Sequence, residues 1–312
     1  MDRRSWLSLL LLAAIWGASY LFIKIGLRDL SPSAVAFLRV LLAAVVLLPL
    51  AASRGALAGL RAHLTVVLLV AAVQTAGPFL LIALGEQEVS SSLAGILVSS
   101  APIFTVILAV WVDREERATG LRLAGVAAGF GGVVMLLGLD LGGSSAALLG
   151  GLAVVLASLG YAIGGFVVKH RLRTAAPQGL AAAVMVASSV MLLPAAVATA
   201  PSEAPGIGPL AAVAALGILG TGVAFAIFYD LISRVGPTRS LLVAYIAPAF
   251  AIFYGAVLLD EAITAATIAG LVLIVGGSWL AAEGRLPGRA GKRLDLPDPE
   301  FPSAEAAVRE RV

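Results

Sequence analysis

Trp16, Ser19, Tyr20, Arg39, Gln74, Thr75, Ser99, Tyr161, Thr221 and Tyr245 combine side chains able to hold a small polar molecule with positions inside long apolar runs of this 312-residue chain. Their types suit reversible binding. Aromatic rings give a rigid apolar wall with a polar tip and attract an ammonium group. Hydroxyls and an amide donate and accept, and a guanidinium matches a carboxylate as a two-pronged fork. Bond-making chemistry lacks its parts. With no cysteine and two histidines, thiol chemistry is excluded and little remains for a zinc or haem site, so neither a metal nor another cofactor is expected. His63 and His170 fall in basic stretches, away from Ser99 and Ser158, so no serine has a base at hand and no enzyme is expected.

Each candidate also has a plainer use. Thr75 and Thr221 can bond their own helix backbone. Trp16 and Tyr161 can serve packing, and Arg39 either holds a substrate carboxylate or braces neighbouring helices. Gln74 is the hardest to set aside, because an amide in hydrocarbon needs a partner or water and so should face another helix or a cavity.

The elements that must position these residues are membrane spans. Hydrophobic residues make up 60% of the chain and charged residues 12%, against about 25% in a soluble domain, so polar groups are too few to cover a water-facing surface. Apolar runs of the length needed to cross a hydrocarbon core place spans at 6–26, 34–52, 64–84, 92–112, 121–139, 148–168, 178–199, 209–232, 240–259 and 264–282. Of the 21 Lys and Arg, 18 fall on the side of the N-terminus, two (Lys24 and Arg28) on the other, and Arg39 inside a span. The positive-inside rule then puts both termini in the cytoplasm, and the net charge of +3 reflects topology rather than a nucleic-acid partner. Lys24, Glu86, Lys169, Asp230 and Asp260 sit near span ends, where reaching back to water is the cheaper arrangement. Asp230 and Arg234, four apart, are spaced to pair.

The chain is doubled. At a spacing of 146, Phe79, Val89, Pro102 and Phe104 meet Phe225, Val235, Pro248 and Phe250. At 145, Glu116, Thr119, Gly125 and Gly132 meet Glu261, Thr264, Gly270 and Gly277, and Lys24, Pro32 and Pro49 meet Lys169, Pro177 and Pro194. Five spans per copy is odd, so the second copy enters the membrane from the opposite side. The expected fold is an all-α polytopic membrane protein of ten transmembrane helices in two inverted five-helix repeats, at 1–140 and 147–282, with a solvated, disordered cytoplasmic tail at 283–312.

On these residues the chain resembles the EamA-type permeases of the drug/metabolite transporter superfamily. The likeness is carried by Trp16-Gly17-Ala18-Ser19, by Pro32 and Arg39, and by Gly220-Thr221-Gly222-Val223-Ala224-Phe225. Pro248, Asp260-Glu261 with Thr264, and the glycines of the tenth span complete it. It covers about residues 6–282. The resemblance implies an inner-membrane transporter of small metabolites or drugs, often an amino-acid exporter, working by alternating access. Two departures stand out: Asp230, where relatives tend to be uncharged, and the strongly charged turn Asp113-Arg114-Glu115-Glu116.

Inverted repeats place the site near the midplane where the halves meet. Helix breaks are expected at Pro102 and Pro248, freeing the carbonyls of Val98 and Ala244 beside Ser99 and Tyr245. Aromatics, hydroxyls and a single arginine suit a small zwitterion, an amino acid or related metabolite. The expected partners are that small molecule and the lipid bilayer. No carboxylate falls at mid-depth, so the coupling ion stays open, as do direction and oligomeric state. The competing class is a membrane receptor or assembly scaffold that transports nothing.

Overall fold

The computed structural model describes residues 1–112, 120–139 and 144–283. The first acidic turn, including Glu116, and the C-terminal tail from 284 on therefore lie outside the described residues. All described elements are helical. They run α1 (Arg3–Gly26), α2 (Pro32–Ser53), α3 (Leu64–Val70), a π-helical segment (Ala71–Ala76), α4 (Gly77–Glu88), α5 (Ser91–Val98), α6 (Ala101–Val112) and α7 (Leu121–Leu139). The second repeat follows with α8 (Ser145–Arg171), α9 (Pro177–Ala198), α10 (Ile207–Gly217), a second π segment (Ile218–Val223), α11 (Ala224–Val235), α12 (Pro237–Ser240), α13 (Val243–Leu258) and α14 (Ala265–Glu283). Among the described residues, nine continuous helical stretches are long and apolar enough to cross a membrane, and α13 is a shorter apolar helix.

Local chemistry sets the ends. The Asp2 carboxylate accepts from Ser5 N at 3.0 Å and caps α1, and the Ser5 hydroxyl, with this amide second, holds the carboxyl below its ordinary range. Ser31, Ser90 and Ser144 cap α2, α5 and α8 through the amides of Ala34, Leu93 and Ala147, and Pro32 fills the first position of α2. Gly236, at φ 82°, stops α11. Asp260 adopts φ 55° after α13, a left-handed turn that a short polar side chain tolerates, and this aims Glu261 back toward the first repeat.

The repeats interlock through like elements. Helix α2 packs on α9 and α7 on α14, while α1 lies along α13 and α4 along α8. Close approach of α7 and α14 depends on glycine: a Cβ on Gly277 would overlap the backbone of Gly129. Gly277→Ala is therefore expected to cost about 1–3 kcal/mol through overpacking, read as a lower thermal midpoint of the purified protein in detergent.

The two ends of the bundle differ. At the end where α2 begins, the repeats are tied together. Ser31 and Ser33 share hydrogen bonds with the Thr199 hydroxyl at 2.8 and 2.6 Å, and Gly206 N donates to Asp29 Oδ2 at 2.8 Å. Glu261 grips the start of α5 through Ser91 N at 2.7 Å, Ser92 N at 2.9 Å and the Ser92 hydroxyl. Beneath these ties one apolar cluster joins Ile23, Leu30, Val35 and Ile82 to Ala157, Val213 and Leu216. At the Arg54 end buried apolar side chains gather around Val67, Leu172 and Val184, around Leu47, Ala51, Ala56 and Ala182, and around Leu12, Ala224 and Val243.

Three expectations need correction. The third span does not stop at 84, because helix continues to Glu88 and takes Glu86 with it. Glu86 and Lys24 do not reach out to water: Glu86 is 0% exposed and the Lys24 ammonium donates to the carbonyls of Glu86 and Val89. Pro248 marks no interruption, since it runs within α13; the turn in this repeat lies at Leu241–Leu242. Pro102, by contrast, stands at the second position of α6, just past the turn at Ser99–Ser100.

Candidate functional site

The centre of the molecule is built on the two π segments. Gln74 and Thr221 are each the fifteenth residue (74−59 and 221−206) of helical spans 29 residues long, Leu60–Glu88 and Ile207–Val235. In the first, Pro78 lacks an N–H and crowds the carbonyl of Gln74, so the hydrogen-bond ladder must reset. In the second, Gly220 and Gly222 loosen the backbone, and the Thr221 hydroxyl donates to the Leu216 carbonyl five residues back at 3.1 Å. Such bulges recur at functional sites.

Arg39 crosses from α2 to this point. Glycine lets the helices close up: a Cβ on Gly217 would lie 2.6 Å from Leu42 Cβ and 3.0 Å from the Arg39 carbonyl. Arg39 Nε donates to Thr221 Oγ1 at 3.0 Å, joining the repeats, and its Cζ lies 3.6 Å above the centre of the Phe79 ring. The residue is only 8% exposed. Among the described residues, Nη1 and Nη2 donate to no protein group, and the same holds for the hydroxyls of Tyr20 and Tyr161 and the amide of Gln74. Each of these atoms keeps some exposure.

Tyr20 and Tyr161 share an apolar cluster with each other, and Tyr161 also meets the cluster that holds Phe79. Trp16 sits edge-on to Phe225, 6.3 Å between centres, and 5.3 Å from Phe228, with Tyr229 completing an aromatic wall. Gln74 occupies the gap left by Gly164 of α8. Thr75 is buried in its π segment.

Other expected residues take the plainer roles. Ser19 Oγ donates to the Ile15 carbonyl at 3.3 Å, and Ser99 Oγ to that of Gly95 at 3.0 Å. The Val98 carbonyl, expected to be free, accepts from Ser158 Oγ at 3.4 Å. Tyr245 lies against Trp279 of α14, 5.6 Å between centres. Asp230 pairs with Arg234 in two bonds at 2.9 and 3.0 Å, as their spacing foretold. Phe79, Phe225 and Tyr229 escaped sequence reasoning as site residues. The first two were visible only as matched positions in the repeats.

Two inverted helical bundles closing on a polar centre that one buried guanidinium spans define a multi-pass membrane transporter of the inverted-repeat kind. The model of the EamA-like transporter family matches residues 4–138 and again 148–282, and the chain belongs to that family. It is 28% identical over 284 residues to the uncharacterized inner membrane transporter YedA of Escherichia coli strain K12, covering 89% of this chain and 90% of the relative. It is 25% identical over 278 residues to the uncharacterized transporter YoaV of Bacillus subtilis, covering 88% and 95%. A "Probable amino-acid metabolite efflux pump" of Escherichia coli strain K12 is 25% identical over 290 residues, covering 90% and 95%. A solved crystal structure at 20% identity superposes with a TM-score of 0.63, covering 91% of this chain and 99% of that one, a likeness of fold.

Proposed function

We propose that this chain moves a small zwitterion, an amino acid or a related metabolite, across the inner membrane by alternating access, with export as its working direction and no enzymatic step. One observation carries the reading. Arg39 ties the two repeats together through Thr221 at mid-span, yet keeps both terminal nitrogens uncommitted. That fork suits a carboxylate. The hydroxyls of Tyr20 and Tyr161 and the amide of Gln74 are likewise uncommitted and would take the remaining polar groups, while Phe79, Trp16 and Phe225 would pack a compact side chain. The named activity of the amino-acid efflux relative supports this substrate class.

The Lys and Arg distribution puts the Arg54 end in the cytoplasm. On that reading the polar ties between the repeats lie at the outward end. The test is counterflow in proteoliposomes against a pooled amino-acid and metabolite mixture read by mass spectrometry. Wild type is expected to exchange selected zwitterions, and Thr221→Leu, which removes Arg39's partner and fills the centre, to lose at least about tenfold in rate, as for roughly 1.4 kcal/mol of lost recognition. Exchange of sugar phosphates in place of zwitterions would overturn the substrate class. Absence of flux from folded protein would return weight to a scaffold.

A further inference from the structure

Glu86 has the setting of an ion carrier. It lies in the last turn of α4, is 0% exposed, and neither carboxyl oxygen has a hydrogen-bond partner among the described residues. No charged group facing it reaches its carboxyl oxygens. Lys24 of α1 spends its ammonium on the carbonyls of Glu86 and Val89. Arg39 of α2 is held by Thr221 and Phe79, and Glu261 by Ser91 and Ser92 of α5. Tyr20 of α1 is the other titratable group that interacts with it, and Glu88, on the same helix, is exposed. The Ser91 hydroxyl beside the α5 N-terminus is likewise buried without a protein partner. A bare carboxylate there would cost more than any contact in reach returns.

We infer that Glu86 is the proton-binding group of this transporter, taking up one proton as the Ser31 end closes over it and giving it up when that end or the central space lets water in. The step balances simply. At closure a hydronium of the adjoining water gives its proton to the Glu86 carboxylate, forming one O–H bond and leaving neutral water, and on opening that bond breaks, the proton returning to water as hydronium. Substrate export would then be exchanged against an inward proton. The inference rests on the transport reading for its consequence and on the burial of Glu86 for its chemistry.

Two measurements separate these. Infrared difference spectra of purified full-length protein, taken across a pH titration, need no substrate: wild type is expected to show the carbonyl-stretch band of a protonated carboxyl that Glu86→Gln lacks and Glu86→Asp shifts. In proteoliposomes carrying the amino-acid pool, a gradient of about one pH unit is worth up to about tenfold accumulation for a one-proton exchange. Wild type should approach that ratio, and Glu86→Gln should fall to no accumulation while Glu86→Asp recovers part. A band that persists in Glu86→Gln, or accumulation that survives in it, overturns the inference. If wild type moves no member of the pool, the transport reading fails while the infrared titration still decides whether Glu86 binds the proton.

Discussion

Arg39→Met is expected to cut amino-acid flux by roughly 30- to 700-fold while leaving a folded, monodisperse protein. The asymmetry follows from the bonds. Thr221 keeps its hydroxyl bond to the Leu216 carbonyl when the guanidinium goes, so no buried donor is stranded, and Phe79 loses only a cation above its ring. What vanishes is a partly desolvated partner for a substrate carboxylate, worth about 2–4 kcal/mol, and each 1.4 kcal/mol is tenfold. Arg39→Lys restores charge without the planar fork and should recover only part of the loss. Initial rates against substrate concentration provide the check. A rise in apparent KM marks ligand recognition, whereas an unchanged KM with a lower thermal midpoint would assign Arg39 to bracing the repeats.

Glu261→Ala is expected to loosen the closed end and to destabilise the protein by about 2–4 kcal/mol. The Glu261 carboxylate accepts from two amides and a hydroxyl at the start of α5, where the helix presents its partial positive charge. Ser91 and Ser92 are buried, so their amides are stranded when it leaves, at about 1–3 kcal/mol each before water returns some of the loss. Gly255 shares in this joint, because a Cβ there would overlap both Glu261 and Ser92. The chain has no native cysteine, so a single Ser91→Cys reporter gives a clean reading. It should react slowly with a membrane-impermeant thiol reagent in the otherwise native chain and faster once Glu261→Ala is added. Equal labelling rates with an unchanged melting point would show that Glu261 is no part of the seal.

Much of this molecule was legible from local rules. Asp230 and Arg234 pair because four residues bring side chains onto one helix face, and no distant residue has a say. The burial of Arg39 was legible because apolar residues flank it for more than a turn on both sides. Glu86 was misread for the same reason in reverse. Glu-Gln-Glu at 86–88 looks like a loop, since hydropathy averages over neighbours and cannot register that α1, α2, α5 and α8 wall in one residue of the three. Pro248 was misread because proline's local cost predicts a break, whereas here the helix carries it inside and the turn lies six residues earlier, at Leu241–Leu242.

By itself, then, the sequence determined a ten-span, doubled and inverted helical chain, because span length, charge asymmetry and repeat spacing are properties of residues along a line. It also named Arg39 and Thr221 as candidates. Only the tertiary structure decided that those two meet, that Gln74 and Thr221 lie on π segments at mid-span, that Glu261 caps a helix of the other repeat, and that Glu86 is closed off without a partner. Each of these joins residues far apart in the chain, and hydrogen bonding and burial in an apolar interior depend on which surfaces come together in space.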